Sequence, residues 1–244
     1  MAETAGSDRL ETRLAGLVEQ YGLPPAALGQ LRCFHRLLVE DPLAPTAVRD
    51  PLKAVDDHLA DALVGLDLEP VRRARALADL GSGAGVPGLP LAIALPQTSV
   101  SLVDSIARRC EFLGRAVAAC GLANARVVQA RLEAWPEGLA AFDLVTARAL
   151  APLEVVVEYA APLLTLGGTL VVWRGQRDPA GEAAASGAAA EVGLEPGGIT
   201  TVQPYPAARN RHLHLMSKVR DTPPEFPRRP GVALKRPLGR RSKD

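Results

Sequence analysis

The sequence predicts an α/β protein built on a seven-stranded, mostly parallel sheet, and three features carry that expectation. From residue 75 onward, short apolar runs alternate with longer amphipathic stretches, the rhythm of right-handed βαβ units. A glycine-rich turn, Asp79-Leu80-Gly81-Ser82-Gly83-Ala84-Gly85, falls where the first run gives way to a helical stretch. A second acid, Asp104, closes the next run.

The elements follow in chain order. Leu10, Leu14, Leu17 and Val18 recur at helical spacing, and a second apolar pattern runs over residues 28–39, with Pro24 and Pro25 between them. Asp41, Pro42 and Pro45 break the pattern before a third helical stretch over 48–68. Strands are expected at 76–80, 100–103, 126–129, 144–146 and 169–173, with helices at 88–95, 106–120 and 153–164 between them. An alanine-rich helix over 180–192 and two closing strands, 200–203 and 212–217, complete the set. His212 and His214 lie on that last strand without a third ligand and read as sheet residues. The segment 223–244, dense in Pro, Arg and Gly, is expected to be extended or disordered. The chain thus divides into an N-terminal helical extension (1–70), a ligand-binding domain (71–220) and a basic, flexible tail (221–244).

Composition narrows the function classes. Hydrophobic residues make up 48% of the chain and charged residues 23%, enough apolar material to bury a core, which excludes disorder for most of it. Cys33, Cys110 and Cys120 form no CxxC pair and have no metal-ligand spacing to a histidine, so neither a disulfide framework nor a metal site is expected. The first residues carry charges and no apolar core of a signal peptide. The longest uncharged run, 80–103, is broken by Gly and Pro and is no membrane helix. A cytoplasmic monomer is the expectation. The net charge is +1 but uneven: residues 220–244 hold eight Lys or Arg against three acids, +5, leaving −4 on the rest. A basic tail suits a polyanion, whose counterions each phosphate contact releases; a solvated tail that serves only solubility is an equal reading of that segment alone.

The glycine turn carries the chemistry. In a parallel sheet ligands bind beyond the carboxyl ends of the strands, and Gly81, Gly83 and Gly85 let backbone approach a ligand closely. Gly83-Ala84-Gly85-Val86-Pro87-Gly88 also satisfies GxGxxG, the dinucleotide fingerprint. In that register the strand runs to Ser82 and buries the charge of Asp79. In the register of an S-adenosylmethionine-dependent methyltransferase, Asp79 ends the strand and reaches the ligand; this register is preferred, and with it the class I methyltransferase fold. Asp104 stands where a carboxylate can take both ribose hydroxyls, or where it can cap the helix that follows. Arg148, after the fourth strand, emerges at the rim where a substrate enters, suited to phosphate or a base edge, with an ion pair to a local acid as its structural alternative. No Asn-Pro-Pro-Tyr or Asp-Pro-Pro-Tyr follows the fourth strand and no cysteine lies in a Pro-Cys loop. Attack through an exocyclic amine or on a pyrimidine ring is therefore disfavoured, whereas a ring nitrogen such as guanine N7 needs only alignment.

These residues resemble the RsmG (GidB) family of 16S ribosomal RNA guanine-N7 methyltransferases. The likeness runs through Asp79-Leu80-Gly81-Ser82-Gly83-Ala84-Gly85-Val86-Pro87-Gly88-Leu89-Pro90-Leu91, then Val103-Asp104-Ser105, Gln129-Ala130-Arg131-Leu132-Glu133, Ala147-Arg148-Ala149 and Trp173-Arg174-Gly175-Gln176. Upstream, His58-Leu59-Ala60-Asp61-Ala62 is similar to the family's His-x-x-Asp-Ser, and Pro227-Arg228-Arg229-Pro230-Gly231 to its C-terminal pattern. The resemblance implies S-adenosyl-L-methionine as cofactor, held by Gly81, Val86, Leu132, Glu133 and Arg148. Asp104 would take the ribose and Asp79 would lie near the methionine end. It further implies 7-methylguanosine as product, 16S ribosomal RNA or the small subunit as partner, and Arg148 and Arg174 as the residues that position the RNA. Arg174 stands where the family has Lys, Ala62 where it has Ser, and residues 38–46 replace the family's Trp-Asn and Asn-Leu-Thr element. An NAD-dependent oxidoreductase and a small-molecule methyltransferase are the alternatives.

Overall fold

In α1 (Ala2–Tyr21) and α2 (Ala27–Glu40), apolar residues three and four apart form one stripe. Along α2 that stripe buries Leu31, Phe34 and Leu38 completely, and each such side chain removed from water contributes roughly 1.5 to 3 kcal/mol. The structure, a computed structural model, describes residues 2–239. Asp50 caps the short α3 (Pro51–Ala54) by accepting a 2.7 Å hydrogen bond from the Lys53 amide. A π-helical turn (Val55–Ala60), α4 (Asp61–Leu63), a 3₁₀ turn (Val64–Asp67) and α5 (Glu69–Arg72) carry the chain to the sheet.

The seven strands are β1 (Ala76–Leu80), β2 (Ser99–Asp104), β3 (Ala125–Gln129), β4 (Phe142–Arg148), β5 (Leu164–Arg174), β6 (Leu194–Thr201) and β7 (His212–Lys218), in the order β3-β2-β1-β4-β5-β7-β6. β1 to β5 run parallel; β7 is antiparallel to both β5 and β6. The strand order reverses beside β1, which opens a crevice at the carboxyl ends of β1 and β4. The helices α6 (Gly88–Ala94) and α7 (Ala107–Ala119) share one apolar core with α1, α2, Leu77, Val100 and Leu102. A second core joins α8 (Leu153–Ala160) and α9 (Pro179–Val192) to Ala78, Leu80 and Val103. The N-terminal helices therefore complete one face of the sheet, and no helix among the described residues is long and apolar enough to cross a membrane.

Two segments differ from the sequence reading. β6 begins at Leu194 rather than near residue 200, because Pro196 and the following glycines lie at the outer edge of the sheet. There a missing N–H costs no ladder bond and a register shift between Pro196 and Gly198 absorbs the irregularity. The tail expected to be flexible is instead laid on the body as far as Gly239. It carries α10 (Val232–Lys235) with Ala233 buried, and Phe226 and Leu238 pack on the second core. Sparse, aperiodic apolar anchors gave no sequence signal. Arg240, Arg241 and Lys243, counted above in the basic tail, lie outside the described residues.

Candidate functional site

Two cavities flank the turn that follows β4. The first, about 190 Å³, lies beyond the carboxyl ends of β1, β2 and β3. Gly81, Asp104, Leu132 and Glu133 line it, four of the residues singled out in the sequence. Gly81 has φ +63°, and a Cβ there would stand 2.5 Å from Leu150 Cδ1, so this turn requires glycine. Asp104 ends β2 with both carboxylate oxygens engaged by the turns on either side of it. Its Oδ1 accepts from the Ile106 amide at 2.9 Å at the start of α7. Its Oδ2 accepts from the Gly83 amide at 3.1 Å, with Arg109 at 3.4 Å, and the carboxylate borders the cleft. Gly83 thus meets Asp104 and does not line the cleft itself. Gly85 and Val86 stand behind the wall: a Cβ on Gly85 would meet Leu89 at 2.4 Å, and Val86 belongs to the core.

Asp79 requires a correction. Expected at the strand end and facing the ligand, it is 0% exposed within β1. Ala78 and Leu80 point to the α8 face, so the alternation of the strand sends Asp79 to the opposite face, under α6. Thr146 Oγ1 donates to its Oδ1 at 2.8 Å and the Gly88 amide to its Oδ2 at 3.2 Å. Burial pushes this carboxyl up to about 6, against the hydrogen bonds that hold it down. Because these partners make a buried acid tolerable, burial of Asp79 does not separate the two registers; the end of β1 at Leu80, one residue before Gly81, is what fits the methyltransferase loop.

The second cavity, about 210 Å³, sits at the ends of β4 and β5 and is lined by Asp61, Arg148, Trp173, Arg174, Arg211 and His212. Arg148, expected beside the cofactor, turns to this side instead. Its Nη1 donates to Asp61 Oδ2 at 2.6 Å and to the Asp57 carbonyl at 3.0 Å. The acid that draws it lies 87 residues away on α4. Arg211 Nε donates to the other oxygen of Asp61 at 3.1 Å, and Tyr205 Oη donates to Asp57 at 2.5 Å. Trp173 Nε1 donates to the Asp61 carbonyl at 2.7 Å, and its ring leaves no room for a Cβ at Gly65.

His58 closes the network. Arg148 Nη2 stands 3.3 Å from His58 Nδ1, and a guanidinium only donates, so Nδ1 is bare. Nε2 therefore carries the proton and donates to Thr46 Oγ1 at 2.9 Å. Burial, then the charge of Arg148, draws this imidazole down to about 4. Burial likewise raises the Asp61 carboxyl, opposed by Arg148 and Arg211. Arg174 Nη1 reaches the Ala151 carbonyl at 3.4 Å, and among the described residues no carboxylate pairs with it. Among the described residues it is the cation of this cavity that no carboxylate neutralises. Sequence reasoning missed Asp57, Tyr205 and Arg211, which no local spacing connects, and the described residues hold no cluster that could bind a metal.

The family model described as rRNA small subunit methyltransferase G (GidB) matches residues 41–201. Proteins named "Ribosomal RNA small subunit methyltransferase G" are similar over most of the chain. The one from Rubrobacter xylanophilus is 38% identical over 196 residues, 78% of this chain and 75% of its own. The one from Limosilactobacillus fermentum is 35% identical over 238 residues, 93% of this chain and 97% of its own. Among solved structures, one described as a predicted O-methyltransferase from Agrobacterium tumefaciens superposes with TM-score 0.52 at 25% identity, over 67% of this chain and 80% of that one. Fibrillarin from Aeropyrum pernix, solved with natively bound S-adenosyl-L-methionine, has TM-score 0.50 at 19% identity over 64% and 72%, a likeness of fold.

Proposed function

Since the chain belongs to the GidB family of small-subunit ribosomal RNA methyltransferases, we propose that it moves the methyl group of S-adenosyl-L-methionine onto N7 of a guanine in 16S ribosomal RNA. One observation supports this reading above the others. A cleft edged by the carboxylates of Asp104 and Glu133 and a cavity edged by Arg148, Arg174 and Arg211 lie on either side of the turn after β4. Carboxylates accept from ribose hydroxyls and amines, and guanidinium groups suit phosphate and guanine O6, which leaves the N7 lone pair free.

The first cleft fits the nucleoside half of the cofactor: a glycine-only turn at Gly81 admits close approach, Asp104 offers an acceptor, and Leu132 and Leu150 supply apolar walls. When bound, the cofactor supplies an electrophilic methyl group on a sulfonium. Guanine N7 presents a lone pair and sheds no proton, so the protein's task is alignment, without a general base. Asp61 fixes the direction of Arg148, and Arg174 takes a phosphate or the base edge. The same reading makes the enzyme a cytoplasmic monomer acting on naked 16S RNA or on the assembled subunit.

The test is incubation of the purified protein with methyl-labelled cofactor and small-subunit particles or deproteinised RNA, followed by chain scission at 7-methylguanosine. A single cleaved position is expected; label on a pyrimidine, on an exocyclic amine or on no RNA at all would overturn the proposal. A second expectation concerns the cleft. Asp104→Asn should weaken binding of S-adenosylhomocysteine by roughly tenfold, about 1.4 kcal/mol, by removing a charged acceptor. Calorimetric titration checks this, and unchanged affinity would remove Asp104 from the ribose.

A further inference from the structure

The C-terminal segment has no role in the mechanism above, yet it closes the first cleft. Gly231 and Leu234 line that cleft together with Gly81, Asp104 and Leu132. The Gly231 amide donates to Glu133 Oε1 at 2.9 Å, so a residue near the end of the chain holds the carboxylate that edges the cavity. The segment is anchored on both sides of this contact. Upstream, Arg228 meets Glu158 of α8 in a two-pronged pair, with Nε on Oε1 at 2.6 Å and Nη2 on Oε2, while Glu158 is 1% exposed. Arg228 Nη2 also donates to the Arg236 carbonyl at 2.9 Å, which ties the two ends of the segment together. Between them Ala233 is buried against the second core.

Leu234 is the telling residue. It is 57% exposed, a large apolar side chain at the rim of a cavity that Leu132 and Leu150 also line. Its neighbour Ala233 already supplies the packing that holds the helical turn down, so the fold does not need Leu234. A planar nucleobase would cover it.

From this we infer that residues 226–236 form the outer wall of the nucleoside cleft, with Leu234 packing on the adenine of the cofactor and the Arg228–Glu158 pair as the anchor that positions it. The inference rests on the reading of this cleft as the cofactor site. The wall discriminates by shape: it recognises the nucleoside and leaves the amino-acid end untouched.

The experiment titrates full-length protein with S-adenosylhomocysteine and, separately, with adenosine. Leu234→Ala should weaken both ligands by a similar factor, roughly fivefold to tenfold for the apolar surface no longer covered, with the melting temperature unchanged because the side chain is exposed. Leu234→Met, which restores a flexible apolar side chain, should bind both ligands as the wild type does. Arg228→Gln combined with Glu158→Gln, which removes both charges at once, should also weaken both ligands. Affinities of Leu234→Ala within twofold of wild type, or a loss for S-adenosylhomocysteine without a loss for adenosine, would overturn the wall. Failure of the wild type to bind S-adenosylhomocysteine would overturn the cofactor reading and the wall with it.

Discussion

Replacing Asp61 with alanine is expected to slow methyl transfer by on the order of 100-fold and to lower the free energy of unfolding by about 3 kcal/mol. Asp61 is 5% exposed, and its carboxylate is shared by two guanidinium groups, Arg148 through one oxygen and Arg211 through the other. Removing it leaves two cations facing each other without the anion between them. Breaking a buried pair in this way costs about 3 to 5 kcal/mol. The lower end applies here, because the side chains of Arg148 and Arg211 are 22% and 35% exposed and water recovers part of the loss. The effect on rate has a separate cause. Arg148 keeps only its bond to the Asp57 carbonyl and its contact with His58, so the charge that faces the substrate cavity loses its fixed direction. Asp61→Asn, which keeps an acceptor but no charge, should fall between the two. Urea denaturation and single-turnover methylation of small-subunit RNA give the two readouts. A normal single-turnover rate in Asp61→Ala would show that the orientation of Arg148 does not matter to the reaction.

The parts of this molecule that sequence reasoning reached are those governed by local pattern. β1 lies at residues 76–80 as expected, and α7 differs from its expected bounds by one residue at each end, because buried parallel strands and amphipathic helices write their period directly into the chain. The glycine turn and Asp104 were legible for the same reason: the turn chemistry and the acid at the strand end sit within a few residues of each other. What was not legible depends on where side chains go once distant segments meet. Whether Asp79 faces a ligand or α6 is decided by which face of β1 each helix covers. Whether Arg148 faces the cofactor is decided by an acid on α4, 87 residues earlier. The C-terminal segment is held by Arg228 on Glu158, a pair 70 residues apart, and by isolated apolar anchors with no repeat between them.

The buried acid Asp79 and the buried imidazole of His58 make opposite contributions to stability against pH. Asp79 is raised to about 6, chiefly by burial, from an ordinary value of 3.8, so the native state holds this proton more tightly than the unfolded chain does. Its contribution is fully present below 3.8 and is lost as pH rises through 6, a swing of about 3 kcal/mol. His58 is drawn down to about 4 from 6.5, chiefly by burial and then by Arg148, so the native state refuses a proton that the unfolded chain accepts. Its contribution is present above 6.5 and is lost as pH falls through 4, again about 3 kcal/mol. In the wild type the two slopes offset each other between these limits. Asp79→Asn can keep both local bonds, with its carbonyl accepting from Gly88 and its amide donating to the Thr146 hydroxyl, while its titration disappears. That variant should therefore expose the His58 slope and lose stability on acidification well below that of the wild type. His58→Gln should do the reverse, losing stability as pH rises from about 4 to about 6. Denaturant midpoints measured across this range for the three proteins decide the matter: parallel curves would mean that neither group carries its altered affinity for the proton in the folded protein.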